Sequence, residues 1–247
     1  MLSANDKSST TTSNGLNSNL FGGYTRQQTQ QQQSTRPEPY YRSYSQNMSS
    51  GESLQHIWIV TGPAGSGKTT VAKNLQAEMG LPFLEGDDFH PQSNKDKMAN
   101  GIPLTDADRW DWLISLRDAA VDILSKPAAD TSTTNMSDGT PAPPTGVIMS
   151  CSALKLKYRD VIRVAEYYNP SLRIHFIYLK ADEKTLMDRV NSRSSHYMKS
   201  NMVHSQFEAL EDPSDEKDVI VINVSVPPDE VRKQVSEAVS KKLAEYN

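Results

Sequence analysis

The chain has 247 residues, of which 36% are hydrophobic and 23% are charged, and its formal net charge is -4. The hydrophobic fraction is low for a compact globule, which indicates that part of the chain lies outside a packed core. The acidic balance argues against a protein that binds nucleic acid. A single cysteine argues against a disulfide framework or a zinc site built from several cysteines. Since no apolar run approaches a secretory signal or the roughly 20 residues of a membrane helix, we expect a cytoplasmic protein with no membrane span.

Two polar segments account for the chain outside the core. Of the first 50 residues, 28 are Ser, Thr, Asn or Gln, and such a segment cannot bury enough apolar surface to offset the entropy of ordering it. We interpret residues 1–53 as a disordered tail, either a dispensable extension or an interaction segment; a mitochondrial transit peptide is a weaker alternative. Residues 127–145 are interpreted as a flexible insertion. One domain over residues 54–247 remains.

The domain alternates short apolar runs with segments of helical periodicity. Strands are predicted at 57–61, 82–84, 147–151, 174–179 and 219–224. Helices are predicted at 69–79, from Asp106 to about 124 with Asp106 or Thr105 as the cap, at 155–166, at 183–190, and from about 229. This alternation is typical of an α/β fold in which helices cover both faces of a parallel sheet. Ligands of such sheets bind beyond the carboxyl ends of the strands.

The segment after the first predicted strand matches the phosphate-binding pattern GxxxxGK[ST] in full. Its glycines let backbone N–H groups turn toward phosphate oxygens, and the following helix adds its positive end. Lys68 is expected to reach the β- and γ-phosphates of ATP, and Thr69 to bind Mg²⁺ through its hydroxyl. The motif predicts a nucleoside triphosphate site but does not by itself define a kinase. The residues expected to contact the nucleotide are Gly62, Pro63, Ala64, Gly65, Ser66, Gly67, Lys68, Thr69 and Thr70.

An acidic cluster follows the second predicted strand. Glu85, Asp87, Asp88 and His90 lie within six residues, and charged groups at a strand end are costly unless they bind something. One carboxylate could accept a hydroxyl proton, and another could hold water bound to Mg²⁺. The third strand lacks the terminal Asp of a Walker B motif, which leaves metal organisation to Glu85 or Asp87. The alternative is a solvated acidic turn that caps the next helix, and the neighbouring phosphate motif favours function.

Two pairs of basic residues are spaced four apart, which predicts that each pair shares a helix face. Lys155 and Arg159 follow the third predicted strand and would suit an anionic substrate, although a solvated basic face is the ordinary alternative. Arg189 and Arg193 lie near His196, at the start of the polar stretch NSRSSHYMKSNMVHSQ. Such a stretch is typical of a mobile lid that brings arginines onto a triphosphate, and a basic helix end is its alternative.

Taken together, these residues resemble the gluconokinase family of small P-loop kinases, which are similar in fold to shikimate and nucleoside monophosphate kinases. The resemblance covers residues 57–224. It is carried by the phosphate motif and by FLEGDDFHP at 83–91, NKDKMANGIPLTDADRWDWL at 94–113, CSALKLKYRDVIR at 151–163 and SQFEALEDP at 205–213. It implies a three-layer sandwich with a five-stranded parallel sheet of order 2-3-1-4-5 and a mobile lid. It also implies Mg²⁺-dependent transfer of the γ-phosphoryl group of ATP to the 6-hydroxyl of D-gluconate, feeding the pentose phosphate pathway.

The resemblance implies a role for each candidate residue. Asp87 would orient or deprotonate the substrate hydroxyl, and Glu85 would organise Mg²⁺ through water. Arg189 would lie near the adenine, and Arg193 would reach the phosphates. The family usually has glycine at the lid position that Ser195 holds here. The side chains expected to surround gluconate are those of Asp87, His90, Arg109, Lys155, Arg159 and His196.

Three rival functions remain open. The nearest is a related kinase that acts on shikimate or a nucleotide, but the match over the whole 83–113 segment favours gluconate. A non-catalytic ATP-binding regulator would be expected to lack Lys68 or Asp87, and both are present. A nucleic-acid-binding ATPase would need a basic face, which the acidic core does not supply. The oligomeric state also stays open, with a homodimer as one expectation.

Overall fold

A five-stranded parallel sheet forms the centre of the protein, with strands in the order β2-β3-β1-β4-β5. The computed structural model describes residues 54–126, 143–192 and 200–246. The sheet order confirms 2-3-1-4-5, and each strand lies within two residues of its predicted bounds. The strands are β1 (Gln55–Thr61), β2 (Phe83–Glu85), β3 (Gly146–Ser150), β4 (Leu172–Lys180) and β5 (Val219–Asn223).

Seven α-helices within the described ranges surround the sheet. They are α1 (Lys68–Met79), α2 (Gln92–Ala99), α3 (Trp110–Ser125), α4 (Leu156–Tyr168), α5 (Glu183–Asn191), α6 (Ser200–Glu208) and α7 (Pro228–Ala244). A 3₁₀ turn, Gly86–Phe89, follows β2. Helices α2 and α6 have no counterpart among the predicted helices, because at eight and nine residues they are too short to establish an apolar repeat over several turns.

Alternate residues of the central strand β1 point to opposite faces of the sheet and build two apolar layers. Ile57 and Ile59 pack in one buried cluster with side chains of α3 and α4. Trp58 and Val60 pack in another with side chains of α1 and α7. None of these four β1 residues has exposed surface. The three-layer sandwich is therefore confirmed, and burial on both faces explains why this strand is a continuous apolar run.

Helix α3 begins at Trp110, later than predicted, and Arg109 rather than Thr105 or Asp106 is its N-cap residue. The predicted cap is wrong because the Asp106 carboxylate has partners distant in the sequence. It accepts hydrogen bonds from Lys155, Lys157 and Tyr158. An acid bound to a neighbouring element in this way does not cap its own helix.

The division of the chain into tail, domain and insertion stays a prediction. Residues 1–53 and 127–142 lie outside the described residues, so only the last part of the predicted 127–145 insertion is within them. Among the helices that the structure describes, none combines the length and the apolar character needed to cross a membrane.

Two histidines pair inside the sheet on neighbouring strands. His56 Nδ1 in β1 lies 3.0 Å from His175 Nε2 in β4. The ring of Trp58 stacks on His175 with 4.3 Å between centroids, and the Tyr246 ring lies edge-on to His56. Burial, together with the neighbouring charges of His56, Lys242 and Arg173, lowers the pKa of His175 to about 3. Burial also lowers the pKa of His56, so the pair is neutral near pH 7.

We expect this pair to make the fold sensitive to acid. Because the pKa of His175 falls from 6.5 to about 3 on folding, the unfolded chain binds more protons between these values, and stability is lost as the pH falls through them. The His175→Gln variant lacks this titration. Its free energy of unfolding, measured by urea titration at several pH values, should fall less steeply below pH 6.5. Equal slopes in the variant and the wild type would contradict the assignment.

Candidate active site

The phosphate-binding loop lies between β1 and α1, at the edge of the sheet formed by the carboxyl ends of the strands. Gly62, Gly65 and Gly67 have φ angles of 142°, 82° and 94°, which L side chains rarely adopt. At Gly65, an added Cβ would lie 2.9 Å from the carbonyl oxygen of Leu186 in α5. Any other residue there would push the loop away from α5, so the glycine is needed for packing as well as for conformation.

The side chains of the loop fit a magnesium-bound triphosphate. The Ser66 hydroxyl is buried and has no hydrogen-bond partner in the part of the chain that the structure describes. Lys68 Nζ donates to the carbonyl oxygen of Pro63 at 3.2 Å, which holds its ammonium group against the loop. Thr69 and Thr70 are exposed at the start of α1. A magnesium-bound triphosphate needs hydrogen-bond donors, a cation and a hydroxyl ligand for the metal. The Ser66 hydroxyl, the Lys68 ammonium group and the exposed Thr69 hydroxyl fit these three needs.

Helices α5 and α6 pack against the loop. Leu186 and Val190 from α5 and Val203 from α6 form a buried apolar cluster with Ala64 of the loop. Gln206 in α6 accepts a hydrogen bond from the Ala64 N–H at 2.7 Å. The loop is therefore supported by elements from the C-terminal half of the chain as well as by its own strand and helix.

Of the two arginines predicted to approach the nucleotide, the structure describes Arg189 but not Arg193. Arg189, near the end of α5, donates from Nη2 to the carbonyl oxygen of Val224, which follows β5. The later part of the polar stretch predicted as a lid forms helix α6 from Ser200 onward. Arg193 and His196 fall within 193–199, outside the described residues. Their roles therefore stay predictions.

The acidic turn after β2 is fixed against β3. The Gly86 N–H donates to Ser150 Oγ at 3.2 Å, and Trp112 Nε1 donates to the Gly86 carbonyl oxygen at 2.7 Å. A Cβ at position 86 would lie 2.1 Å from the Ser150 carbonyl oxygen, so only glycine fits. The Ser150 hydroxyl also donates to Glu85. The turn thus has a defined position relative to the sheet, and Glu85 is held at its start.

Asp87 and Asp88 are exposed on this turn, whereas His90 is buried. The imidazole of His90 stacks on the Trp112 ring, with 4.0 Å between centroids and 17° between planes. Burial, together with the nearby charge of Arg109, lowers the pKa of His90 to about 4. His90 is therefore neutral at pH 7. It can hydrogen-bond to a substrate hydroxyl, but it does not supply a cation for a substrate carboxylate.

The loop and the acidic turn both lie near Cys151, which follows β3. Its thiol is buried, and burial raises its pKa to about 12. The N–H of Cys151 donates to the carbonyl oxygen of Val60 in β1 at 3.0 Å, and Ser150 before it touches Gly86 of the acidic turn. The unexposed Cys151 side chain lacks the character of a reactive thiol, in agreement with a packing role. The predicted phosphate, acceptor and substrate groups are thus brought to one region.

A cationic patch lies beside the ring of Tyr158 at the start of α4. The Arg109 guanidinium is 5.4 Å and Lys155 Nζ is 5.7 Å from the ring centre. Lys155 also donates to Asp106 at 2.9 Å. Hydrogen bonds from Lys157, Tyr158 and Lys155 hold the pKa of Asp106 well below its usual range. Asp106 thereby anchors Lys155, one of the cations expected to bind the substrate.

Arg159 does not belong to this patch, although its spacing from Lys155 predicts a shared helix face. Lys155 is the N-cap residue of α4 and extends toward Asp106. Arg159 is 1% exposed, and its guanidinium binds Glu216 through Nε and Nη2. The prediction of a common substrate-facing surface is therefore wrong, because Arg159 has an internal carboxylate partner far along the sequence.

Arg159 instead fixes the turn between β3 and α4. Ala153 in this turn has φ of 35°, a left-handed conformation that is unfavourable for a residue other than glycine. Arg159 Nη1 donates to the carbonyl oxygens of Ala153 and Leu154 at 2.9 and 3.1 Å. The carboxylate of Glu211 accepts from the N–H of Leu156, at the first turn of α4, at 2.6 Å. These contacts hold the backbone that carries Lys155.

The fold and this arrangement of charges define a P-loop kinase for a small molecule, and comparison with known proteins gives its family. A family model described as an AAA domain matches residues 59–211. The chain is 41% identical to a probable gluconokinase of Schizosaccharomyces pombe, over 77% of this chain and 91% of that protein. It is 37% identical to the thermoresistant gluconokinase of Escherichia coli, over 78% and 99% of the two chains. The crystal structure of a gluconokinase from Sinorhizobium meliloti matches at 32% identity with a TM-score of 0.62, over 78% and 96%. The chain belongs to the gluconokinase family.

Three supporting residues of the site are not among those assigned from the sequence. They are Asp106, which anchors Lys155, Gln206, which contacts the loop, and Glu216, which pairs with Arg159. Asp106 and Gln206 lie within the segments TDADRW and SQFEALEDP that carry the family resemblance, and Glu216 lies just beyond the second. For Asp106 and Gln206, a place in those segments was the available signal, and Glu216 had none.

Removing the Arg159 guanidinium should destabilise the fold rather than weaken substrate binding alone. In Arg159→Ala, Glu216 loses its buried partner, and breaking such a pair costs about 3 kcal/mol. Arg159→Lys should restore little of this, because an ammonium cannot reproduce the paired N–H bonds to one carboxylate. Denaturant unfolding measures the loss. A stable Arg159→Ala protein with a raised KM for the acceptor would show that Arg159 binds substrate after all.

Proposed function

We propose that this protein transfers the γ-phosphoryl group of ATP to the 6-hydroxyl of D-gluconate and releases ADP and 6-phospho-D-gluconate. The observation that carries the proposal is the similarity to gluconokinases over almost their whole length, with the phosphate loop and the acidic turn intact. The product would enter the pentose phosphate pathway, and a cytoplasmic location, where Mg·ATP is plentiful, belongs to the same proposal.

Lys68 and the loop amides would hold the triphosphate. Within the described part of the chain, no group of three or more His, Cys, Asp or Glu side chains is arranged to hold a metal. Mg²⁺ would therefore be bound by Thr69, by phosphate oxygens and by water, with Glu85 orienting that water. Bound there, Mg²⁺ would neutralise the negative charge that develops during phosphoryl transfer. Arg189 would contact the adenine, and Arg193 would add positive charge at the phosphates.

Asp87 would orient the acceptor hydroxyl and take its proton. Its exposed carboxylate lies on a fixed turn after β2, which only β3 separates from the strand that leads into the phosphate loop, and this supports the role. The gluconate carboxylate would bind the cations of Lys155 and Arg109, while neutral His90 would contact a substrate hydroxyl; His196 would join from the predicted lid. Phosphoryl transfer asks mainly for alignment and charge neutralisation, which these groups supply.

The substrate is tested by ADP release from the full chain with Mg·ATP, comparing D-gluconate with shikimate, gluconate epimers and nucleoside monophosphates. We expect D-gluconate to stimulate release strongly and the others to have little effect. Lys68→Ala should reduce the stimulated rate by about 10²-fold to 10³-fold, since it removes the charge at the transferred group. Lys73→Ala, which changes an exposed lysine on the same helix, is the matched control. Stimulation by a different acceptor would overturn the substrate assignment.

Asp87→Asn should lower kcat for gluconate phosphorylation by about 10²-fold with a smaller change in KM, because the amide cannot accept the hydroxyl proton. Steady-state kinetics with varied gluconate separate the two constants. Asp88→Asn alters the neighbouring exposed acid on the same turn and serves as the comparison. An effect of Asp87→Asn on KM alone would reduce Asp87 to a binding residue, and a larger loss of kcat in Asp88→Asn would transfer the role to Asp88.

A further inference from the structure

A polar contact joins the phosphate loop to helix α6. The side-chain oxygen of Gln206 accepts a hydrogen bond from the N–H of Ala64 at 2.7 Å, across 142 residues of sequence. Ala64 is the third residue of the GxxxxGK[ST] pattern and is 5% exposed. The contact therefore connects a buried peptide of the nucleotide-binding loop to an element from the far end of the domain.

The surroundings of this contact are apolar. Ala64 packs in the buried cluster with side chains from both α5 and α6, and Phe207, the neighbour of Gln206, packs against the same cluster. A buried backbone N–H without an acceptor is costly. Gln206 thus supplies an acceptor in a place where its apolar neighbours offer none.

The orientation of the Ala64 peptide matters for the residues that follow it. Gly65 has a φ angle of 82° and Gly67 one of 94°, and glycines can leave such conformations readily. The hydrogen bond from Ala64 to Gln206 holds the peptide just before this flexible run. Fixing it reduces the number of conformations that the loop must abandon when an anion binds, which improves affinity.

We propose that Gln206 is a positioning residue for the nucleotide: through the Ala64 peptide, it holds the phosphate loop in the conformation that binds a triphosphate. This rests on the proposed nucleotide site but not on the identity of the acceptor. Gln206 acts through the backbone of the loop, and its own contact with the nucleotide is not required.

Two substitutions of Gln206 test the proposal. Gln206→Met keeps the length of the side chain and removes the acceptor, so the affinity for Mg·ADP and for a Mg-bound non-hydrolysable ATP analogue should fall by about tenfold. Gln206→Glu keeps the acceptor, so at high salt, where its charge is screened, it should bind both nucleotides more tightly than Gln206→Met does. Its negative charge close to the loop should still weaken nucleotide binding, most of all at low salt. Calorimetric titration gives the dissociation constants.

Glu208→Gln is the matched control, because it removes a charge from an exposed residue of the same helix; nucleotide affinity should not change. The proposal is overturned if Gln206→Met binds both nucleotides as the wild type does while melting at a lower temperature, since Gln206 would then only support the fold. Affinity in Gln206→Glu as low as in Gln206→Met at high salt would overturn it as well, because the retained acceptor would then have no effect on the loop. Because these titrations contain no phosphoryl acceptor, their outcome does not depend on whether gluconate is the substrate.

Discussion

The close contact between Gly86 and Ser150 is the constraint on which the candidate site depends. It brings the end of β2 so near to the end of β3 that no side chain fits between them. Since β3 lies between β2 and β1 in the sheet, the acidic turn and the phosphate loop are separated by only one strand. The exposed carboxylate of Asp87 and the ammonium of Lys68 come from the two sides of this strand, with Cys151 buried between them.

The charged residues around this edge divide into those that hold the backbone and those that face the solvent. Arg159 and Glu216 neutralise each other inside the protein and hold the strained turn at Ala153. Asp106 fixes Lys155 from a neighbouring segment. A buried pair of this kind contributes order rather than catalysis, and that order positions the cations expected to bind a sugar acid. This division explains why two basic residues four positions apart have unrelated roles.

Much of the fold could be predicted because its signals are local. A run such as IWIV, buried on both faces, identifies a central strand by composition alone, and the GxxxxGK[ST] pattern identifies the loop that follows it. The errors have a common physical origin in partners that are distant along the chain. The side chain of Asp106 was expected to cap α3, but its partners lie about 50 residues away. Arg159 was expected at the surface, but Glu216 lies 57 residues further on.

Helix α6 is another element whose role depends on partners that are distant along the chain. It is short, and two of its side chains contact the phosphate loop. Val203 packs in a cluster with Ala64, and Gln206 accepts a hydrogen bond from Ala64, 142 residues earlier in the chain. No local sequence pattern predicts a contact between residues so far apart in the chain. The family resemblance includes residues 205–213, which contain Gln206, and the structure shows that this side chain binds the phosphate loop. The loop is therefore continuous with α1 and packs against α5 and α6.

The most direct test of the central claim, that the sheet edge aligns ATP with the primary hydroxyl of gluconate, is to determine where the phosphate ends up. The proton-coupled ³¹P NMR spectrum of the purified product reports this. A phosphate on the 6-hydroxyl couples to the two protons of a methylene group, which the account predicts. Coupling to a single proton, as for an ester of a secondary hydroxyl, or no phosphorylated gluconate at all, would contradict it.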